Sequence, residues 1–286
     1  LGDVYKRQIP ADVTVRYGVT VRRANLRNLP TGEGLFFYAS DRNFDALQET
    51  ALDPGEAVAI LHTSTNGYFY YVQAYNYRGW LSKFDVAETD RSTWLRYAEP
   101  KNFLTVVAKD YTLKADGAQV LFQQGARLQL ADKKASAYTV KVPVRTKEGK
   151  LQEEKVVLAA NASLHEGYLP YTTNNIIRSA FKFYDSVYGW GGLQQSVDCS
   201  SFISNAYRTV GIFLPRNADE QETSAGIHKK MGNMSSAQRA NVIKCLTPGS
   251  TLHMDGHVML YLGSSNEIPY AIPVSYTHLR AHETRG

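Results

Sequence analysis

The chain has 286 residues, of which 43% are hydrophobic and 21% charged, and its formal net charge is +5. This length suits two or three compact domains, and the composition excludes a long disordered protein. No apolar run is long enough to span a membrane, no cluster of Lys and Arg indicates a nucleic-acid binder, and two cysteines do not make a disulfide framework.

The two ends of the chain are related in an unusual way. Residues 1–8 can be back-translated into DNA whose complementary strand, read after skipping two bases, encodes residues 274–280. The ends of a natural gene have no reason to be inverted copies of each other, and the segment resembles an adapter joined to DNA fragments for sequencing. We therefore expect residues 1–8 and 274–286 to be artefacts, and we exclude them from the prediction of the fold.

Residues 13–164 are typical of β structure. Short runs rich in aromatic and β-branched residues alternate with turn signals such as Asp-Pro-Gly and Asn-Gly. The predicted strands are residues 58–62, 68–74, 79–82, 104–108, 120–122, 128–130, 138–144 and 155–158. Because residues 94–97 look like a connector between two sets of strands, we predict two small SH3-like β-barrels, over residues 9–97 and 98–168.

The pattern changes to helical spacing near residue 170. Thr173 can cap a helix whose apolar residues recur on one face as far as Val187, before Gly189. A second helix begins close to Cys199 and ends at Gly211.

A hairpin follows the predicted helices. Residues 252–254 and 258–262 have strand character and are joined by an Asp-Gly turn. Together, the helices and the hairpin predict an α+β domain over residues 169–273.

Cys199 is the candidate nucleophile of this domain. The N–H groups and the dipole at the start of a helix stabilise a thiolate. A lone cysteine is more often a small buried hydrophobe, but Asp198, Ser200 and Ser201 give Cys199 a polar setting. Cys245 has no such neighbours and is assigned to packing.

His257 is the candidate base. Imidazole exchanges protons near neutral pH, and a residue that begins a strand can point from the sheet toward a neighbouring helix. A strand histidine with an ordinary hydrogen bond is the alternative. The order of a cysteine at a helix start followed by a histidine on a strand favours a papain-like pair. His253 and His257 are four residues apart, but the Asp-Gly turn between them excludes the helical arrangement of an HxxxH metal site, so no metal or other cofactor is predicted.

Five motifs of the last domain, in this order and spacing, resemble the signature of NlpC-type bacterial cell-wall cysteine peptidases. They are YGWGG (188–192), DCSSF (198–202), LPR (214–216), PG (248–249) and GHVMLYLG (256–263). The first half is similar to the bacterial SH3 domains that precede the peptidase in one branch of this family. The segments that carry this second resemblance are 20–31, 48–56 and 75–80.

The resemblance implies a papain-like α+β cysteine peptidase that hydrolyses the amide between γ-D-glutamate and the diamino acid of peptidoglycan stem peptides. Cys199 would attack the carbonyl, and His257 would protonate the leaving amine. Asp198 and Ser200 would bind the free amine of an N-terminal L-alanine.

The resemblance implies further substrate-binding residues, for each of which a structural role is a serious alternative. Tyr77 of the first barrel would close the substrate pocket, although it lies in an aromatic-rich strand region. Glu49 is a second candidate, or a solvated loop charge. Trp190 either lines the cleft or anchors the glycine-rich turn. Arg216 is interpreted as structural.

The family uses a third polar residue, often a histidine, to orient the base from the strand after His257. Residues 264–272 contain no histidine. The codon of Pro273 would overlap the adapter, and position 273 lies an even number of residues after His257. We therefore expect that the native residue at position 273 is a histidine replaced by the adapter.

Two other functions stay open. The chain could be a peptidoglycan-binding protein without catalysis, or a papain-like amidase or acyltransferase of different specificity. The expected partner is peptidoglycan or a muropeptide, with no nucleic acid. A monomer is expected, in the bacterial cell envelope or, for a recycling enzyme, in the cytoplasm.

Overall fold

The structure is a computed structural model that describes residues 12–38, 42–224 and 226–274. Its secondary structure divides into three successive units, which we call the first, middle and C-terminal units. Within the described residues, no helix is both long and apolar enough to cross a membrane.

The first unit is an antiparallel sheet with the spatial order β3-β2-β6-β5-β4-β1-β7. Its strands are β1 (Arg16–Thr20), β2 (Ala24–Arg27), β3 (Gln48–Leu52), β4 (Ala57–Thr63), β5 (Phe69–Gln73), β6 (Arg78–Ser82) and β7 (Val86–Thr89). Alternate side chains such as Val58, Ile60 and Val72 point into one buried core. The predicted strands 58–62, 68–74 and 79–82 are present, with ends shifted by one residue in most cases.

Helix α1 (Arg91–Ala98) connects the first unit to the middle unit. Asp90 caps this helix by accepting the N–H of Thr93 at 2.9 Å. The middle unit has strands β8 (Phe103–Val106), β9 (Asp110–Ala115), β10 (Ala118–Gln123), β11 (Arg127–Lys134), β12 (Ala137–Arg145), β13 (Leu151–Ala159) and β14 (Leu164–Glu166). β9 and β10 form a two-stranded sheet, and the others form a sheet in the order β13-β12-β11-β8-β14.

The C-terminal unit packs helices on a three-stranded sheet. Its elements are α2 (Thr173–Ala180), α3 (Cys199–Arg208), α4 (Ala218–Glu222), α5 (Ser236–Lys244), β15 (Thr251–Met254), β16 (His257–Ser265) and β17 (Ile268–Pro273), with sheet order β15-β16-β17. Phe202 and Ile203 of α3 pack against Val258 and Leu260 of β16 in one core. This packing fixes the start of α3 relative to the start of β16.

Two expectations about these units need correction. The first helix was expected to reach Val187, but α2 ends at Ala180, a 3-10 turn over Phe181–Phe183 follows, and the chain is extended at Tyr184. No other described element covers Tyr184 and Val187, which lie exposed. The cap of α2 is Thr172, one residue before the expected position. In addition, the sheets of the described residues are open, so the expected closure into two barrels is not observed.

A buried ion cluster joins the first and C-terminal units. Arg208 of α3 donates to Asp53 Oδ2 at 3.2 Å and to Glu56 Oε1 at 2.6 Å. Arg23 donates to Asp53 Oδ1 at 2.9 Å. Since each guanidinium meets a carboxylate, the charges of the cluster are balanced, and α3 is held against the first unit.

Candidate active site

The start of helix α3 is fixed by a capping box. Asp198 Oδ1 accepts the N–H of Ser201 at 2.9 Å, and Ser201 Oγ accepts the N–H of Asp198 at the same distance. Both bonds satisfy N–H groups that a helix start leaves without partners. Cys199 is therefore the first residue of α3, as the sequence predicted.

The Cys199 thiol is buried at this helix start, with 7% of the residue exposed. Burial, and then the negative charge of Asp198, raise its pKa above the ordinary value. The backbone N–H groups of Val258 and Ser200 and the charge of Arg216 act in the opposite direction but do not outweigh them. The helix start thus lowers the thiol pKa in the expected direction, but burial outweighs it and the pKa is raised overall.

His257 begins strand β16 and lies opposite Met254 of β15. Gly256, with φ of +68°, allows the tight turn between these strands. Burial lowers the pKa of His257, so the half-buried imidazole is neutral at neutral pH.

The contact between β16 and the thiol is made by Val258, the residue after His257. Its N–H interacts with the sulfur of Cys199, and its side chain lies in the same core. Within the described part of the chain, no hydrogen bond joins the Cys199 thiol to the His257 ring. The pairing of the two as nucleophile and base therefore stays a prediction.

Asp198 also forms a buried ion pair with Arg216. Arg216 Nη2 donates to Asp198 Oδ2 at 2.5 Å, and its Nη1 donates to Ser200 Oγ at 2.8 Å. Burial would raise the pKa of Asp198, but Arg216 and the N–H groups of Ser201 and Gly191 hold it below the ordinary value. The carboxylate is therefore ionised at neutral pH.

Arg216 has a wider role than its interpretation as structural. Its Nε donates to Thr50 Oγ1 of the first unit at 2.8 Å, so it links Asp198 and Ser200 to strand β3. The LPR motif (214–216) marks its position in the sequence, but the partner Asp198 becomes visible only in the fold.

Tyr77 and Glu49 of the first unit also face this region. The Tyr77 hydroxyl donates to Glu49 Oε2 at 2.6 Å. Burial and the bond to Glu49 raise the pKa of Tyr77 to about 12, whereas the neighbouring Asn217 and Arg216 act to lower it. The fold thus brings Tyr77 next to Arg216, on the side of the site that holds Asp198 and Ser200. Glu49 lies in the same region because it is hydrogen-bonded to Tyr77.

Trp190 anchors the glycine-rich turn to the first unit. Its indole N–H donates to the carbonyl of Gln48 at 2.7 Å, its backbone N–H donates to the carbonyl of Asn43 at 2.9 Å, and its ring lies 4.8 Å from that of Phe44. Gln48 in turn donates to the carbonyl of Gly191 at 2.9 Å. Of the two roles expected for Trp190, these contacts favour the anchor.

Tyr188 is a site residue to which the sequence assigned no role. Burial, then the carboxylate of Asp198 and the ionised form of the Cys199 thiol, raise the pKa of Tyr188, so its ring lies near both residues. Pairing of Tyr188 with Val197 brings it there. Its position in the YGWGG motif (188–192) was the sequence feature that could have identified Tyr188 as a site residue.

Position 273 lies on strand β17, beside the start of β16. Pro273 pairs with Met259, and residues 257 and 259 alternate onto the same face of the sheet. A side chain at position 273 therefore lies on the same face of the sheet as His257, opposite the residue two positions after it. The other residues of the suspected adapter, 1–8 and 275–286, lie outside the described residues.

Comparison with known proteins agrees with this architecture. Residues 185–280 match the NlpC/P60 family, and residues 35–82 match an SH3 domain of the SH3b1 type. The chain thus contains an NlpC/P60 domain in its C-terminal unit, preceded by an SH3b-type domain. No SH3 match covers the middle unit, so the prediction of a second SH3 barrel is not confirmed.

Two solved structures share the fold of the NlpC/P60 domain and the units before it. A novel NlpC/P60 endopeptidase from Photobacterium damselae subsp. piscicida matches with 24% identity and a TM-score of 0.74, over 92% of this chain and 61% of that one. This chain thus spans less than two thirds of that protein. An NlpC/P60 family protein from Bacillus cereus ATCC 10987 matches with 16% identity and a TM-score of 0.63, over 91% of this chain and 95% of that one. No curated protein sequence matches.

Proposed function

We propose that the chain is a cysteine peptidase that hydrolyses the amide bond between γ-D-glutamate and the diamino acid of peptidoglycan stem peptides. The observation that carries the proposal is the contact of the Cys199 thiol, at the start of α3, with the strand that begins at His257. The NlpC/P60 match and the endopeptidase from Photobacterium support the reaction class.

The two proposed catalytic residues are uncharged before substrate binds. Neutral His257 takes the proton of the Cys199 thiol as the sulfur attacks the carbonyl carbon. The carbon–nitrogen bond then breaks, the imidazolium gives its proton to the leaving amine, and water hydrolyses the thioester. Backbone N–H groups at the start of α3 stabilise the oxyanion.

The opposite side of the site fits the free amine of an N-terminal L-alanine. Asp198 and Glu49 carry two negative charges against the single positive charge of Arg216, so the region has an excess of one negative charge. Tyr77 stays neutral because its pKa is raised, and Ser200 adds a hydroxyl group. An ammonium group would restore the charge balance, and its N–H groups would donate to carboxylate and hydroxyl oxygens.

We further propose that position 273 is the third catalytic position. No hydrogen-bond partner of the His257 ring is found among residues 12–38, 42–224 and 226–274, and a polar side chain at position 273 would share its face. Pro273→His is expected to raise turnover by about tenfold or more, because an orienting partner fixes the base. Pro273→Leu is the control, and equal turnover of both variants would contradict the assignment.

The substrate side of the proposal agrees with the SH3b1 match, since such a domain next to the peptidase would hold wall fragments. We propose peptidoglycan or muropeptides as the partner and the bacterial cell envelope as the location.

The decisive experiment uses the full chain and L-Ala-γ-D-Glu-diaminopimelate, with Cys199→Ala as the control. Release of free diaminopimelate that Cys199→Ala abolishes is the expected result. The same peptide acetylated on its L-alanine tests recognition of the amine and should be cleaved more slowly. Binding without cleavage would favour a wall-binding protein, and turnover of another acyl donor alone would favour an amidase or acyltransferase.

A further inference from the structure

Residues 188–197 form a loop, here called the Gly-rich loop, that ends directly before Asp198 and Cys199. Tyr188 and Val197 pair at its two ends, and the N–H of Gly189 donates to the carbonyl of Val197 at 3.1 Å. Gly191 N–H donates to Asp198 Oδ2 at 3.0 Å. The loop therefore determines where Tyr188 and Asp198 lie relative to the Cys199 thiol.

The second half of this loop has an unfavourable backbone conformation. Gln194 and Gln195 have φ values of +56° and +53°, in the left-handed region that residues with a side chain seldom occupy. Two such residues in succession need outside contacts to hold them. Trp190 provides contacts for the first half of the loop only.

Gln123, the last residue of β10 in the middle unit, supplies contacts to the second half. Its side-chain Nε2 donates to the carbonyls of Gln195 and Ser196 at 3.3 and 3.2 Å. Its Oε1 accepts from Asn205 at 2.9 Å and from Arg23 at 3.1 Å. The orientation of the amide is thus fixed, because its oxygen faces donors on one side and its nitrogen faces carbonyls on the other.

Gln123 is also held by its backbone. Its N–H donates to Asp53 Oδ1 at 3.0 Å, within the ion cluster that joins α3 to the first unit, and the residue is 3% exposed. Gln123 therefore contacts all three units at the point where the chain approaches the nucleophile.

We propose that Gln123 is a positioning residue for Cys199: the middle unit holds the left-handed end of the Gly-rich loop, and this loop sets the burial and surroundings of the thiol. This gives the middle unit a role in the site, although it contributes no group that touches the reacting atoms.

The test measures the alkylation rate of Cys199 by iodoacetamide as a function of pH in the full chain, in a Cys245→Ser background so that one thiol reacts. Gln123→Met keeps the size of the side chain and removes the hydrogen bonds that its side-chain amide makes. Because a loosened loop buries the thiol less, the midpoint of the alkylation profile should fall by about half a pH unit or more. Turnover should fall about tenfold with a smaller change in KM.

Two further variants separate positioning from structural support. Gln119→Met makes the same change in the same strand at an exposed position and should leave the midpoint unchanged. Asn205→Ala removes one donor to Gln123 Oε1 but leaves both bonds to the loop, so it should lower the unfolding temperature without moving the midpoint.

The midpoint requires no substrate, so the outcome does not depend on the proposed peptidase reaction. An unchanged or higher midpoint in Gln123→Met would overturn the proposal, even if that variant were less stable. An equal downward shift in Asn205→Ala would also overturn it, since the shift would then come from the junction between units rather than from the bonds to the loop.

Discussion

The start of helix α3 separates a region with buried charges from a region whose titratable groups are uncharged. On one side, Asp198 is buried but ionised, because Arg216 and surrounding N–H groups hold its pKa low. On the other side, burial raises the pKa of Cys199 and lowers that of His257, so both are uncharged at neutral pH. Two consecutive residues, 198 and 199, thus differ in charge state.

This difference shows that burial alone does not decide ionisation. Asp198 has a guanidinium partner within 2.5 Å, whereas the sulfur of Cys199 has only backbone N–H groups and more distant charges. A charged binding side is useful for holding a substrate before the reaction. An uncharged catalytic side needs proton transfer to become reactive, and that transfer can be coupled to attack.

The largest expected effect lies on the catalytic side. His257→Ala should lower kcat/KM by about a thousandfold, because the raised pKa of Cys199 leaves little thiolate without a base. The assay is cleavage of the stem peptide, with His253→Ala as a control on the neighbouring strand. A loss of less than about tenfold would show that another group takes the thiol proton.

The next effect lies on the binding side. Arg216→Leu should destabilise the chain by about 3–5 kcal/mol, because it leaves the buried carboxylate of Asp198 without its partner. Urea unfolding measures this change in the free energy of unfolding. Arg178→Leu, at an exposed position on α2, should change it by less than about 0.5 kcal/mol. Similar values for both would mean that the ion pair is unimportant for stability.

The pH dependence of kcat/KM sharpens the contrast between the two sides. Neutral imidazole is the reactive form, and burial places the pKa of His257 below 6.5. The rate should therefore stay level as pH falls to that value and then decrease by about tenfold per unit below the lowered pKa. An acid limb centred above 6.5 would indicate a stabilised imidazolium and contradict this description.

The smallest effect tests the link from Arg216 to the first unit. Thr50→Val keeps the shape of the side chain but removes the acceptor of Arg216 Nε, which should cost about 1 kcal/mol of stability and raise KM more than it lowers kcat. Thr112→Val, at an exposed position on β9, is the control. A change in kcat alone would show that this link serves the catalytic side instead.

Local patterns predicted much of the fold. Runs rich in aromatic and β-branched residues predicted β4, β5 and β6 of the first unit and β8 and β10–β13 of the middle unit, and the Asp-Gly turn predicted the hairpin before His257. The remaining strands of these two units were not predicted, because they are short and lack such runs. The helix prediction failed after Ala180, because the apolar side chains at 184 and 187 continue a helical period although they lie exposed. Periodicity shows which residues could share a face, but not whether another element covers that face.

The site divides in the same way. The polar setting of Cys199, its place at a helix start and the motif that contains His257 are properties of short segments, and the sequence by itself determined them. Only the tertiary structure decided that Arg216 pairs with Asp198, that Thr50 and Tyr77 of the first unit reach the same region, and that burial raises the pKa of the thiol. These features depend on burial and on contacts between residues far apart in the chain, which local sequence does not specify.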